Sequence, residues 1–278
     1  MIAILLKTTS GRPSLGWAVE SIKYALSDYN SCIYLYDEEP VSKDRRKIHN
    51  DILSSGGFVT VGKKSTPVGL ARNTLLRNLS SENYILRMDD DFELGGEFNI
   101  NAMITILENS NYSFCASSER QIGHGKGVRS GALRPSGGLF KKTRNNNLIK
   151  YFYSYFTSFE LIKGIRFVAA EHTRNLILIK REVFDCVQWD EDLIFEGEHS
   201  DFLLDLKKNH IMGGFTLDSV HYHRDDLAQF RSDGASLKYT VTDLMEVHYR
   251  KKWKSLPVKS KYHKSWYLVE FLRRLICK

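Results

Sequence analysis

A largely parallel α/β sheet with helices on both faces is the fold class this sequence predicts, and three observations predict it. Short apolar runs of strand length alternate with amphipathic stretches of helix length through residues 1–91, the pattern of repeated βα units. Breakers such as Pro67 and Ser80-Ser81 separate the pieces. The composition, 42% hydrophobic and 26% charged over 278 residues, is that of a globular chain long enough to bury a substantial core.

In order, the apolar runs predict strands at Ile2–Leu6, Cys32–Tyr36, Phe58–Val61 and Tyr84–Met88. The run at Met1–Lys7 is too short for a signal peptide and lacks a charged leader, so it reads as a buried first strand. Helices are expected around Leu15–Leu26, Lys43–Leu53 and Gly69–Leu79. In such a doubly wound sheet, ligands bind at the carboxyl ends of the strands. Beyond Asp91 the pattern changes to a helix at Ala102–Leu107 and a strand at Tyr112–Ser117. The stretch Gln121–Asn147 is rich in Gly, Lys, Arg, Ser and Asn with little periodicity, and reads as a long functional loop. Strands at Ile165–Ala170, Asn175–Ile179 and Thr216–His223, with a helix at Asp201–Lys208, complete the reading. No internal repeat or Pro-rich linker divides the chain, so residues 1–225 are expected to form one domain and 226–278 a basic, aromatic-rich extension.

Charge marks that extension. Residues 249–278 hold ten Lys/Arg against the single acid Glu270, while the whole chain carries +7. Trp253, Tyr262, Trp266, Tyr267 and Phe271 are interleaved with the bases, a pattern suited to an anionic membrane surface or to a basic helix lying on the body. Nucleic acid is not expected as a partner. No run of about 18 apolar residues occurs. Cys32, Cys115, Cys186 and Cys277 form no CxxC pair, which suggests neither a zinc site nor a disulfide framework and fits a reducing cytoplasm.

The chemistry concentrates at Tyr84-Ile-Leu-Arg-Met-Asp-Asp-Asp91. A buried strand that delivers three consecutive carboxylates to its carboxyl end needs a compensating cation. Mg²⁺ or Mn²⁺, held by one or two carboxylates and by diphosphate oxygens, is the natural one. An exposed acidic turn explains one of these aspartates well and three poorly. Val220-His-Tyr-His223 adds two imidazoles on one face of a strand.

Pro67-Val-Gly-Leu-Ala-Arg-Asn-Thr-Leu-Leu76 followed by Tyr84–Asp91 resembles the pattern of glycosyltransferase family 2, in which a Gly-x-x-x-Arg-Asn helix precedes a strand ending in a DxD motif. Leu5–Pro13 and the strand ending at Asp37 sit where that family places its first nucleotide-contacting strands. Phe195-Glu-Gly-Glu-His-Ser-Asp-Phe202 looks like its acidic motif at a helix start. The likeness spans residues 1–225 and implies a GT-A fold. It further implies that Thr8, Asp37, Arg72, Asp89 and Asp90 bind the nucleotide-sugar, that Asp91 and His223 ligate the metal, and that Glu198 or Asp201 is the base. Relatives carry Glu-Asp where this chain has Glu198-His199, so both carboxylates stay open, with Glu198 slightly favoured. His172 is an alternative for the acceptor side and is not counted among these site residues.

The resemblance therefore implies an inverting hexosyl- or N-acetylhexosaminyltransferase that uses Mn²⁺ or Mg²⁺ and a nucleotide-diphosphate sugar, most often a UDP-sugar. The acceptor is expected to be a saccharide or lipid-linked saccharide in cell-surface polysaccharide, lipopolysaccharide or capsule assembly, at the inner face of a membrane. A sugar nucleotidyltransferase is a rival, but Thr8-Thr-Ser-Gly-Arg12 is a poor match to its phosphate loop. A noncatalytic carbohydrate- or lipid-binding protein on the same fold is the other.

Overall fold

The structure, a computed structural model, describes residues 1–262 apart from 10, 11, 13, 40, 123–132, 135, 144–146, 154–156, 194–196 and 225–244, with backbone alone from 256 onward. The strands are β1 (Ile2–Lys7), β2 (Ser31–Glu38), β3 (Phe58–Gly62), β4 (Tyr84–Asp89), β5 (Phe92–Glu93), β6 (Phe114–Ile122), β7 (Leu133–Arg134), β8 (Gly137–Lys142), β9 (Asn147–Phe152), β10 (Glu160–Ile162), β11 (Ile165–Ala169), β12 (His172–Thr173), β13 (Ile177–Lys180), β14 (Gly213–Arg224) and β15 (Leu256–Tyr262). The helices are α1 (Ser14–Ala25), α2 (Lys43–Ser54), α3 (Val68–Leu76), α4 (Ile100–Glu108), α5 (Glu198–Lys208) and α6 (245–253).

The main sheet runs β10-β11-β14-β6-β13-β4-β1-β2-β3, with β5 on β14 and β7 on β6. Strands β3, β2, β1 and β4 are mutually parallel, and β14 is parallel to β6. Strand β13 lies antiparallel between β4 and β6. The parallel register places Lys7 beside both Tyr36 and Asp89, so the ends of β1, β2 and β4 share one edge. Strand alternation divides the core. Ile2, Ile4 and Leu6 face the layer built by Leu15, Val19, Ile22 and Met103 of α1 and α4, while Ala3 and Leu5 face Ala71, Leu75 and Phe202 of α3 and α5. Each fully buried Leu or Ile contributes about 1.5–3 kcal/mol, so this two-sided burial outweighs any single polar contact in holding the sheet.

Capping sets several boundaries. Ser42 accepts from the Arg45 amide at the start of α2, and Asn99 accepts from Ala102 at the start of α4. Helix α3 stops at Leu76, short of the expected Leu79, and α5 begins three residues before the expected Asp201, which puts Glu198 in its first turn.

The stretch Gln121–Asn147 is not one long loop. Residues 123–132, 135 and 144–146 lie outside the described ones, but β7 and β8 fall within the stretch, and β8 pairs antiparallel with β9. Strands β8 and β9 belong to a second sheet, β12-β8-β9-β15. Gly137 and Gly138 hide β8 from composition-based reading. They are there because the backbone is crowded: a Cβ on Gly138 would lie 2.0 Å from the Tyr151 carbonyl oxygen.

The described part of the extension is built into the body. Tyr249 of α6 is fully buried and donates its hydroxyl to the Gly197 carbonyl at 2.8 Å. Gly197, at φ 86°, caps α5 in the left-handed region, and a Cβ there would lie 2.8 Å from Met245 Sδ. Strand β15 runs parallel to β9. The membrane expectation draws on Trp266, Tyr267 and Phe271, which lie outside the described residues. Among the described residues, no helix is long and apolar enough to cross a membrane.

Candidate active site

The three strand-end aspartates leave β4 in different directions and meet different partners. Asp89 is the most accessible, with 27% of its side chain exposed. Its Oδ1 accepts from Arg72 at 2.9 Å and Arg87 at 3.4 Å, and its Oδ2 from Asn175 at 2.8 Å. Burial works against its charge, but Arg87 and Arg72 outweigh it and hold the carboxyl well below the usual range.

Asp90 turns toward β1. It accepts from Thr8 Oγ1 at 2.6 Å and forms an ion pair with Arg12. Burial raises its pKa, Arg12 opposes that, and neighbouring Asp91 adds to the rise. Arg45 then ties this corner to β2: it donates to Thr8 Oγ1 at 3.0 Å, to the Thr9 carbonyl at 2.6 Å, and to Asp37. Asp37 is fully buried and also bonded to His49 Nε2 at 2.9 Å. Arg45 and His49 sit on the same face of α2, four residues apart. Thr8, Asp37 and Asp90 thus form one buried network.

Asp91 points the other way, toward β14. Its Oδ2 lies 3.7 Å from His223 Nε2, and His223 Nδ1 lies 3.7 Å from Glu119 Oε2. Burial disfavours the imidazolium, but Asp91 and Glu119 outweigh it and raise the His223 pKa to about 10. The Arg224 amide donates to the Asp91 carbonyl at 2.9 Å, which locks the end of β14 to the aspartate turn. Donor atoms bound about 2.1 Å from one cation stand about 3–4 Å apart. The Asp91–His223 separation falls in that range, and a carboxylate with an imidazole is a donor set that suits Mn²⁺ or Mg²⁺. The other imidazole of the pair, His221, is fully buried against Ser117 and Phe92 instead.

Glu198 and Asp201 meet unlike surroundings. Glu198 Oε1 accepts from Arg72 at 3.0 Å and from Arg87 at 3.2 Å, so the same two guanidiniums bridge it to Asp89. The next residue, His199, accepts from Arg87 on Nδ1 at 3.1 Å and donates from Nε2 to the Thr173 carbonyl at 2.9 Å. Its imidazolium is disfavoured first by burial, then by Arg87 and Lys150. Asp201 is fully buried and turned to α6: Trp253 Nε1 donates to it at 2.6 Å and Lys252 Nζ at 2.7 Å. Lys252 also reaches Asp190 at 3.1 Å and Asp205 at 2.6 Å. Asp190, Asp201 and His248 are near enough to share an ion, but the Lys252 ammonium already stands among these carboxylates.

Several of these residues escape sequence reading. Arg45, His49, Arg87, Asn175 and Glu119 carry no motif, although polar residues in the buried strands β4 and β6 are a physical hint. His172, the alternative set aside for the acceptor side, is enclosed by Phe140 and Phe152 and has a pKa pushed down to about 3, chiefly by burial.

No protein-family profile and no curated protein matches the sequence. Solved structures do match. GalNAc-T7 with UDP, GalNAc and Mn²⁺ has a TM-score of 0.57 and 15% identity, covering 81% of this chain and 44% of that one. Residues 1–349 of S. aureus TarS have a TM-score of 0.50 and 12% identity, covering 90% of this chain and 73% of that one. A longer S. aureus TarS has a TM-score of 0.53 and 12% identity, covering 89% and 43%. This chain thus spans less than half the length of GalNAc-T7 and of the longer TarS. The three are glycosyltransferases of GT-A structure. The mixed, largely parallel sheet carrying the aspartate cluster at its carboxyl edge is the GT-A fold.

Proposed function

We propose that the chain is an inverting, divalent-metal-dependent glycosyltransferase that moves a sugar from a UDP-sugar to a hydroxyl of a saccharide acceptor, in cell-surface polysaccharide assembly. The observation that carries this reading is the division of labour at the end of β4: Asp90 faces the Thr8–Asp37 corner while Asp91 stands 3.7 Å from His223. The GT-A fold and a structural neighbour solved with UDP, GalNAc and Mn²⁺ support it.

In this reading Thr8, Asp37 and Asp90 line the nucleoside side, with Arg45 and His49 holding Asp37 in place. Asp89 and Arg72 stand between nucleotide and sugar. Asp91 and His223 would hold Mn²⁺ or Mg²⁺, which when bound would supply positive charge to the leaving diphosphate. Glu198 is the base. Asp201, sealed by Lys252 and Trp253, anchors α6 instead. The acceptor oxygen forms the new bond to the anomeric carbon as the bond to the diphosphate oxygen breaks. UDP departs with that electron pair, and Glu198 takes the hydroxyl proton. Arg72 and Arg87 fix Oε1, so the proton goes to Oε2.

The test is UDP binding and UDP-sugar hydrolysis across a donor panel with Mn²⁺, Mg²⁺ or EDTA. Metal-dependent use of one donor is expected. Failure of every nucleotide sugar to bind, with and without metal, overturns the reading.

A further inference from the structure

The second sheet brings one cation to this site that the donor chemistry does not use. Lys150 is on β9, on the same face as Phe152 because strand side chains alternate. Phe152 marks where that face looks: its ring packs against His172 at 4.7 Å, and Arg174 Cζ lies over it at 4.8 Å. The opposite face carries Tyr151 beneath Lys141. Lys150 therefore points toward the body, where its charge is felt at His172, at His199 in the first turn of α5, and at Glu198. It is partly buried, and among the described residues no group meets its ammonium as a hydrogen-bond or ion-pair partner.

The neighbouring charges are already matched. Arg72 and Arg87 are shared between Asp89 and Glu198, Arg134 donates to Glu119 at 3.0 Å, and Arg174 stands 3.8 Å from Glu119. Burial first and Arg174 second push the Lys150 pKa down to about 8, with Glu198 acting in the opposite direction. A partly desolvated ammonium beside a second cation is costly unless an anion joins them. The nucleotide corner at Thr8, Asp37 and Asp90 lies at the ends of β1, β2 and β4, whereas Lys150 approaches from the side of Glu198.

We propose that Lys150, supported by Arg174, is an acceptor-recognition residue that binds an anionic substituent, a carboxylate or a phosphate, on the saccharide whose hydroxyl is transferred to. This rests on the transferase reading only for which substrate lies beside Glu198. An acidic sugar would set one oxygen against the Lys150 ammonium and so orient its reacting hydroxyl toward Glu198.

The experiment uses the full chain saturated with UDP and Mn²⁺, titrated calorimetrically with glucuronate, glucose 6-phosphate and, as neutral control, glucose. The UDP titration comes first and tests the transferase reading by itself; the anion titrations are repeated without UDP. At least one anion is expected to bind and glucose not to. Lys150→Met is expected to weaken that anion by about tenfold or more, the size of one lost charge-assisted hydrogen bond, whereas Lys150→Arg keeps most of it. Binding should fall as pH rises from 7 to 9, because the ammonium is charged below about 8 and loses its proton above it. Preference for glucuronate or for the phosphate identifies the substituent. The proposal is overturned if neither anion binds the wild-type chain, or if Lys150→Met binds them equally well. It is also overturned if Lys150→Met weakens UDP but not uridine, since the ammonium then reads the donor diphosphate. Normal UDP binding with no anion binding would sink this proposal and leave the transferase reading standing.

Discussion

Two acidic clusters in this molecule look alike in composition and differ in what satisfies them. Along α5 and the segment before it, Asp190, Asp201 and Asp205 close around Lys252 at 2.6–3.1 Å. At the end of β4, Asp91, His223 and Glu119 stand 3.7 Å apart in sequence-distant pairs. The first cluster has a cation supplied by the chain itself, and it fastens α6 to the body. The second has the separations and donor types of a site for a divalent ion. Both clusters have cations from the chain, and their kind separates them: the Lys252 ammonium is no ligand, whereas His223, charged between Asp91 and Glu119, becomes one once a metal displaces its proton.

Breaking the second cluster should have the largest effect. Asp91→Ala is expected to lower metal-dependent UDP-sugar turnover by about a hundredfold or more, since the interaction lost is worth several kcal/mol. Its melting temperature should stay within a few degrees of wild type. Retention of Mn²⁺ binding by this variant, read by EPR, would move the metal to the Asp190 cluster and reverse the comparison.

Lys252→Met attacks the first cluster. It leaves three carboxylates without their cation, a loss of about 3 kcal/mol, at the low end for a buried pair because a quarter of the lysine is exposed. Urea denaturation would measure it. Added Mn²⁺ should then stabilise Lys252→Met more than wild type, because the emptied cluster becomes able to take a divalent ion. Equal stabilisation of both would show that Lys252 is not what separates the two clusters.

His223→Ala should weaken Mn²⁺ binding by about tenfold or more, a smaller effect than loss of the carboxylate because the imidazole adds no negative charge. Smallest of all is Arg77→Ala. That arginine pairs with Glu191 at 3.3 Å with both side chains about half exposed, so its removal should change stability by no more than about 0.5 kcal/mol. A loss comparable to that of Lys252→Met would mean that the surface around the first cluster matters as much as its ammonium.

Legibility in the sequence followed the range of the interactions. The strands β1, β2, β3 and β4 are visible because each is a short apolar run, and their alternation names the fold class. The aspartates are visible because three adjacent carboxylates at the end of a buried strand repel one another unless cations or donors meet them. The second sheet was hidden: β8 opens with two glycines needed for close backbone approach, and that composition imitates a loop. The unlike surroundings of Glu198 and Asp201 were hidden too, because their partners Arg72 and Lys252 are 126 and 51 residues away.

By itself, then, the sequence determined a largely parallel α/β sheet with carboxylates at its edge, since periodicity and local burial are properties of neighbouring residues. Only the tertiary structure decided which carboxylate met an arginine, which met a histidine, and which was closed by a lysine. Those pairings depend on side chains that the chain brings together only after its strands have found their order, and no local pattern records them.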